Sequence, residues 1–143
     1  MKSLKNILCV LLCSLFFISC GKSGKISNKE DLNKLSKTLT ETLKKESIKT
    51  DYSKESIKQL EDWLSKQKKK KQKELINQVG AYLGESIIKN YGGSWVKTNG
   101  NWSVELSENN MIFPISKVYK FVHDGPEDSF YTLFKLIPVV FKK

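Results

Sequence analysis

The sequence predicts an α+β domain with two or three N-terminal helices, a small antiparallel sheet of about three strands, and two short C-terminal helices. Three observations carry this. Apolar residues recur at helical spacing from Leu32 to Tyr91. The period then changes to alternation on either side of Asn99-Gly100. Finally, Pro114 and Pro126 restart helical spacing near the C-terminus.

The first helix is expected after Ser27, whose side chain and Glu30 three residues on form a capping-box pattern. Leu32, Leu35, Leu39 and Leu43 give it a narrow apolar stripe. The pattern breaks around Lys49 to Tyr52, and Ser53 suits the cap of a second helix carrying Ile57, Leu60 and Leu64, with Trp63 at the stripe's edge.

The third helix, roughly Glu74 to Tyr91, is the most apolar. Ile76, Val79, Gly80, Leu83, Ile87 and Tyr91 share one face, and Leu75, Tyr82 and Ile88 widen it, as expected for a helix with neighbours on more than one side. Gly80 and Gly84, one turn apart, offer room for another backbone to approach closely. Gly92-Gly93 ends the helix.

Asn99-Gly100 is a strong two-residue hairpin signal. It places Lys97 opposite Trp102 and Trp95 opposite Val104, so that Trp95, Trp102, Val104 and Leu106 share the core face, with Lys97 over the Trp102 ring. Met111 to Phe113 follows as a third strand. Pro114 opens a helix with Val118, Phe121 and Val122. Pro126 suits the first position of a last helix with Phe130, Leu133, Phe134 and Ile137 on one face, which Pro138 should end or kink.

Ahead of these elements lies a targeting pattern. Lys2 and Lys5 precede an almost wholly apolar run, Ile7 to Ser19, whose 13 residues are too few for the ~20 that span a bilayer. Phe17-Ile18-Ser19-Cys20-Gly21 resembles the lipobox of bacterial lipoproteins, with Phe17 in place of the usual Leu. The resemblance implies a signal peptide over 1–19, cleavage before Cys20 and lipid on that thiol. A lipidated tether over 20–27 and a single domain over 28–143 would follow. Cleavage would remove Cys9 and Cys13, leaving one thiol and no intramolecular disulfide. The expected location is the cell membrane or outer membrane, facing away from the cytoplasm, with the membrane itself as a partner through the anchor.

The charge is unevenly spread. The chain carries +10, every basic residue is lysine, and residues 74–143 are neutral with seven lysines and seven acids. Lys66, Lys68, Lys69, Lys70, Lys71 and Lys73 supply most of the excess. This run reads either as a solvated connector or as a contact for anionic lipid or an envelope polymer. Nucleic acid is disfavoured by export and by the lack of arginine for bidentate contacts.

Catalytic equipment is thin. With His123 the sole histidine, a zinc site of usual composition cannot be assembled, and no metal or cofactor is expected. There is neither a Gly-x-Ser-x-Gly elbow nor a phosphate-binding glycine loop. His123-Asp124-Gly125-Pro126-Glu127-Asp128-Ser129 is the densest polar cluster, and acids there suit a helix start. Glu85 reads either as an exposed i,i+4 partner of Lys89 or as a carboxyl partly buried in a cleft, where burial would fit it for general-acid work.

Several motifs together resemble an uncharacterised family of small bacterial domains. They are Tyr52-Ser53-x-x-Ser56-Ile57-x-x-Leu60, Gly80-Ala81-Tyr82-Leu83-Gly84-Glu85, Gly92-Gly93-x-Trp95, Pro114 and Gly125-Pro126-Glu127-Asp128-Ser129, and the likeness covers roughly Tyr52 to Phe134. It implies a small sheet packed on the glycine-bearing helix, brings no activity or cofactor, and draws Tyr82 and Trp95 in beside Glu85 and His123 as candidate functional residues.

The expected function is that of a lipid-anchored, non-catalytic binding module of the cell envelope, recognising an envelope protein, anionic lipid or polymer. A small envelope hydrolase acting on a glycan or peptidoglycan through Glu85 or His123 is the alternative, and a structural spacer between membrane and wall is a third reading.

Overall fold

The computed structural model describes residues 24–141. The expected signal peptide, Cys20 and most of the expected tether lie outside these residues. Five α-helices and a three-stranded antiparallel sheet form the expected α+β fold, in the order α1 (Lys29–Lys45), α2 (Lys54–Lys66), α3 (Lys73–Tyr91), β1 (Ser94–Thr98), β2 (Asn101–Ser107), β3 (Asn110–Ile112), α4 (Pro114–Asp124) and α5 (Phe130–Val140). None of the described helices is long and apolar enough to cross a membrane.

Helix α3 is the axis of the molecule. It packs against α1, α2, α4, α5 and β2, and its middle, Val79 to Leu83, is fully or almost fully buried. That burial explains why its apolar residues spread over most of its circumference rather than forming a stripe. Tyr82, expected on a flank, lies at 0% exposure in the core. The two glycines allow close approach, each in its own way. A Cβ at Gly80 would lie 2.6 Å from both Cα and Cγ1 of Ile115 at the start of α4, so here backbone meets backbone. A Cβ at Gly84 would collide with Cη2 and Cζ2 of Trp95, so there an indole ring packs directly against the helix.

The hairpin has the register that the Asn-Gly turn implies, with Trp95 opposite Val104 and Lys97 opposite Trp102. Asn99 and Gly100 both take positive φ, 50° and 80°, which matches the twist of the two strands. Trp95, Val104 and Ile112 face the core and are buried. Trp102 is half-buried under the Lys97 ammonium, 5.5 Å from the ring centroid.

The helix ends differ from expectation at three places. Asn28 rather than Ser27 caps α1: Asp31 N–H donates to Asn28 Oδ1 at 2.9 Å, and the Asp31 carboxylate accepts from the backbone N–H groups of Ser27 and Asn28. Both residues suit a cap, and the reciprocal partner Asp31 selects the later one. Pro126 starts a single 3₁₀ turn, Pro126–Asp128, and α5 begins after Ser129, whose Oγ accepts from Thr132 N–H at 3.0 Å. Pro138 does not end α5, which continues to Val140.

The break between α1 and α2 is held by aromatic and polar contacts. Tyr52 sits at φ 60°, a left-handed conformation that costs a β-carbon residue about 1–3 kcal/mol. Its N–H donates to Tyr82 Oη at 3.1 Å, its carbonyl accepts from Asn90 Nδ2 at 2.7 Å, and its ring stacks on Tyr82 at 4.7 Å. Ser56 Oγ donates to Ser53 O, so the Tyr82 hydroxyl is left to donate to Ser56 Oγ at 3.1 Å.

Replacing Gly84 with leucine should lower stability by about 1–3 kcal/mol, the usual range for overpacking a filled core. Thermal unfolding measures this directly, and an unchanged midpoint would mean that Trp95 is free to leave the helix.

Candidate functional site

Two helices in this fold start without a side-chain cap. Gln72 precedes α3 and Phe113 precedes α4, and neither supplies a side-chain hydrogen bond to the helix. Elsewhere Asn28, Ser53 and Ser129 do. The first turn of an α-helix exposes N–H groups with no acceptor inside the helix, and its end of the macrodipole is positive. The contact at Gly80 brings the first turn of α4 against α3, so both uncapped starts border the same groove.

That groove consists of two adjoining cavities, of ≈ 520 Å³ and ≈ 510 Å³, which share Lys73, Asn77, Ile115 and Ser116. The first continues to Ile76, Tyr119, Lys120, His123 and Asp124, with Lys71 at its edge. The second is walled by Trp102 and Ile26 and edged by Lys25 and Lys97. Asp124 is the one acid along either cavity, against five lysines. Volumes in the range ~300–1,000 Å³ are those of small-molecule sites.

Asn77 lies where the cavities meet. It is 6% exposed, and none of the described hydrogen bonds involves its amide. Its atoms are not wholly sealed off, so the amide reaches the groove rather than the core.

The other sequence candidates fall in separate surroundings. Glu85 and Trp95 are brought together: Trp95 Nε1–H donates to Glu85 Oε1 at 2.8 Å, across the ring that lies on Gly84. Glu85 is half-buried, and neither of the described ion pairs joins it to Lys89. The Lys89 ammonium instead lies over the Tyr52 ring, 4.5 Å from its centroid. The i,i+4 pairing is displaced because each partner has a nearer aromatic group to serve.

Tyr82 is occupied by Tyr52 and Ser56, and burial pushes its hydroxyl pKa above the usual 10.0. It acts as a structural hydrogen-bonding group. His123 is exposed at the groove's end, stacked on Tyr119 at 4.0 Å with Nδ1 2.9 Å from the Tyr119 carbonyl oxygen.

The lysine run divides between two roles. Lys66 ends α2, and 67–72 form the turn to α3, where Lys70 Nζ donates to Ser65 O at 3.2 Å and so caps α2. Lys68 to Lys71 line a shallow hollow with Gln72. Lys71 and Lys73 also reach the groove.

In the cluster after His123, Asp128 pairs with Lys117 at 2.8 Å, which holds its carboxyl below the ordinary value. The acid that serves the start of α5 comes from elsewhere. Glu61 of α2 accepts from Ser129 Oγ at 2.8 Å and from Tyr131 N–H at 2.8 Å. Sequence reasoning missed it because Glu61 is 68 residues from Ser129 and looks like any helix acid. Asn77 and Ser116 were missed likewise, although a polar residue inside the most apolar helix was a signal that could have singled out Asn77.

Comparisons with protein-family models, with curated proteins and with solved structures found no match. The functional reading rests on geometry and sequence.

Replacing Glu61 with alanine should cost about 1–3 kcal/mol, because it leaves the Ser129 hydroxyl and the Tyr131 N–H without their acceptor. Amide exchange at Tyr131 should accelerate more than exchange in α3. Unchanged protection at Tyr131 would show that α5 holds its first turn without help from α2.

Proposed function

We propose that the protein is a lipid-anchored, non-catalytic binding module of the cell envelope, with its lysine-edged groove turned toward the membrane. One observation carries this reading. The chain enters the fold along the groove: Gly24, Lys25 and Ile26 line one of its cavities, and Trp102 Nε1–H donates to Ile26 O at 3.3 Å. Gly24 is four residues from Cys20, and four residues reach at most about 14 Å. Lipid on Cys20 would therefore hold the groove near the bilayer surface, where each lysine contributes ~1 kcal/mol on an anionic leaflet.

Binding without catalysis is supported by how the polar candidates are used. Glu85 holds an indole, Tyr82 holds a strained turn, and His123 stacks on a tyrosine. Each contact stabilises the fold, and none of them sets two carboxyl groups across a cleft as glycoside hydrolysis needs. The location follows from the anchor: the cell membrane or outer membrane, on a face away from the cytoplasm.

Two experiments test the reading separately. Cys20→Ala should abolish lipid labelling and move the protein from the detergent phase to the aqueous phase. Unchanged partition would remove the anchor. Replacing Lys68, Lys69, Lys70 and Lys71 with glutamine should remove most salt-sensitive adsorption to anionic vesicles, because the Debye length falls from ~30 Å at 0.01 M to ~10 Å at 0.1 M salt. Equal adsorption by variant and wild type would return the run to a solvated connector.

A further inference from the structure

We propose that the groove between α3 and α4 is a specific site for one anionic phospholipid molecule, with its phosphate at Asn77 and Lys73 and the start of its acyl chains along Ile76, Ile115 and Tyr119. The inference rests on the membrane-facing reading above and adds a bound ligand to it.

Asn77 is the first argument. Asn77 is 6% exposed as a residue, none of the described hydrogen bonds uses its amide, and it lines both cavities. An amide that borders a cavity is open to an acceptor that arrives from outside.

The surroundings define that acceptor. Lys71, Lys73 and Lys120 line the same cavity, and Ser116 and Lys73 belong to the uncapped first turns of α4 and α3. Free first-turn N–H groups, the positive ends of two dipoles and several ammonium groups together favour an anion of more than one oxygen, as phosphate provides. Helix starts alone would say little, but here Lys73 and Ser116, from the two first turns, share the cavity lining with Asn77.

The walls exclude a purely water-soluble anion. Ile76, Ile115 and Tyr119 give the cavity apolar lining beside the lysines, which inorganic phosphate or a sugar phosphate would leave wet. Lysine suits this geometry, since its stem can lie along apolar surface while its ammonium stays at the rim. An amphiphile with a phosphate head satisfies both halves. The entry of the chain at Gly24 places the groove where such molecules are densest.

The test uses the full chain in nanodiscs of phosphatidylcholine, titrated with soluble dihexanoyl phosphatidylglycerol. Tryptophan fluorescence, with Trp102 on the adjoining cavity, and the Asn77 side-chain amide resonance report binding. Saturable binding is expected, with dihexanoyl phosphatidylcholine and glycerol phosphate each binding far more weakly. Asn77→Leu keeps the charge and should weaken binding about tenfold or more, the value of a hydrogen bond to a charged group. Its melting temperature should equal or exceed that of the wild type, and its low-salt adsorption to vesicles should not change.

Wild-type affinity in Asn77→Leu overturns the proposal. So does glycerol phosphate binding as tightly as the lipid, which would make the groove a small-anion site, or equal binding of the zwitterionic lipid, which would make it an apolar slot. Should Asn77→Leu fail to fold, the exposed pair Lys73→Gln and Lys120→Gln provides the same comparison, and undiminished binding there is equally fatal. Because the probe is a soluble monomer, the titration reads the groove whether or not Cys20 carries lipid, so failure of the anchor and failure of the site are distinguishable.

Discussion

The approach of Ile115 to Gly80 governs both the packing and the groove. Backbone contact at 2.6 Å from an imagined Cβ is possible only with glycine on α3. It presses the first turn of α4 against α3, and the rest of α4 then buries Val118, Phe121 and Val122 in the common core. The same contact sets Ile115 and Ser116 beside Asn77, forming the strip common to both cavities. One turn along, Gly84 admits the Trp95 ring, and that ring fixes the hairpin carrying Trp102 at the groove's far wall. A larger residue at either position would lift an element that lines the groove. Stability and binding are therefore coupled through α3, without any residue needing to serve both directly.

Against this background the treatment of polar groups is informative. The left-handed Tyr52 is held from three sides, by Tyr82, Asn90 and the Lys89 ammonium, so its strain is offset by surrounding contacts. Glu61 meets a serine hydroxyl and a backbone N–H at the start of α5. The Trp95 indole N–H finds Glu85. Buried polar groups in folded proteins are normally paired in this way. Asn77, 6% exposed, takes part in none of the described hydrogen bonds and lies where these two cavities meet.

Elements governed by local rules were legible in the sequence. The hairpin register followed from Asn99-Gly100 alone, because a two-residue turn leaves one way to pair the strands. The wide apolar surface of α3 marked it as a helix with several neighbours, and Gly80 and Gly84 marked where those neighbours come close. What was not legible depended on choices between near-equivalent residues or on distant ones. Ser27 and Asn28 are both good caps, and Asp31 decides between them. Pro126 fits a 3₁₀ turn as well as a helix start, and Ser129 decides by capping α5. Glu85 drew attention as a lone carboxylate in a motif, yet its partner is an indole ten residues away. The groove draws on α3, α4, the hairpin and the entering chain, and no single stretch of sequence contains enough of it to be noticed.

The proposed anchor changes what the groove needs to achieve. A freely diffusing protein that selects one lipid from bulk must overcome the full cost of association, of order 4–15 kcal/mol. A tether about 14 Å long removes most of that cost, because four residues keep the groove's mouth within reach of the head groups at all times. Short flexible links give effective concentrations in the millimolar range. At such concentrations a site of millimolar affinity, about 4 kcal/mol, is already half filled. One amide, two helix starts and a few lysines are enough for that, and a deep, fully enclosed pocket is not required. The shallow, lysine-edged form of the cavities is thus what a membrane-tethered domain would be expected to have, whereas a soluble lipid carrier would need to enclose its ligand. The same reasoning accounts for the distribution of charge. The lysines cluster in 20–73, which follows the expected anchor in the chain, while 74–143 is neutral overall and contributes Asn77, Ser116, Lys97, Lys120 and the apolar walls to the groove.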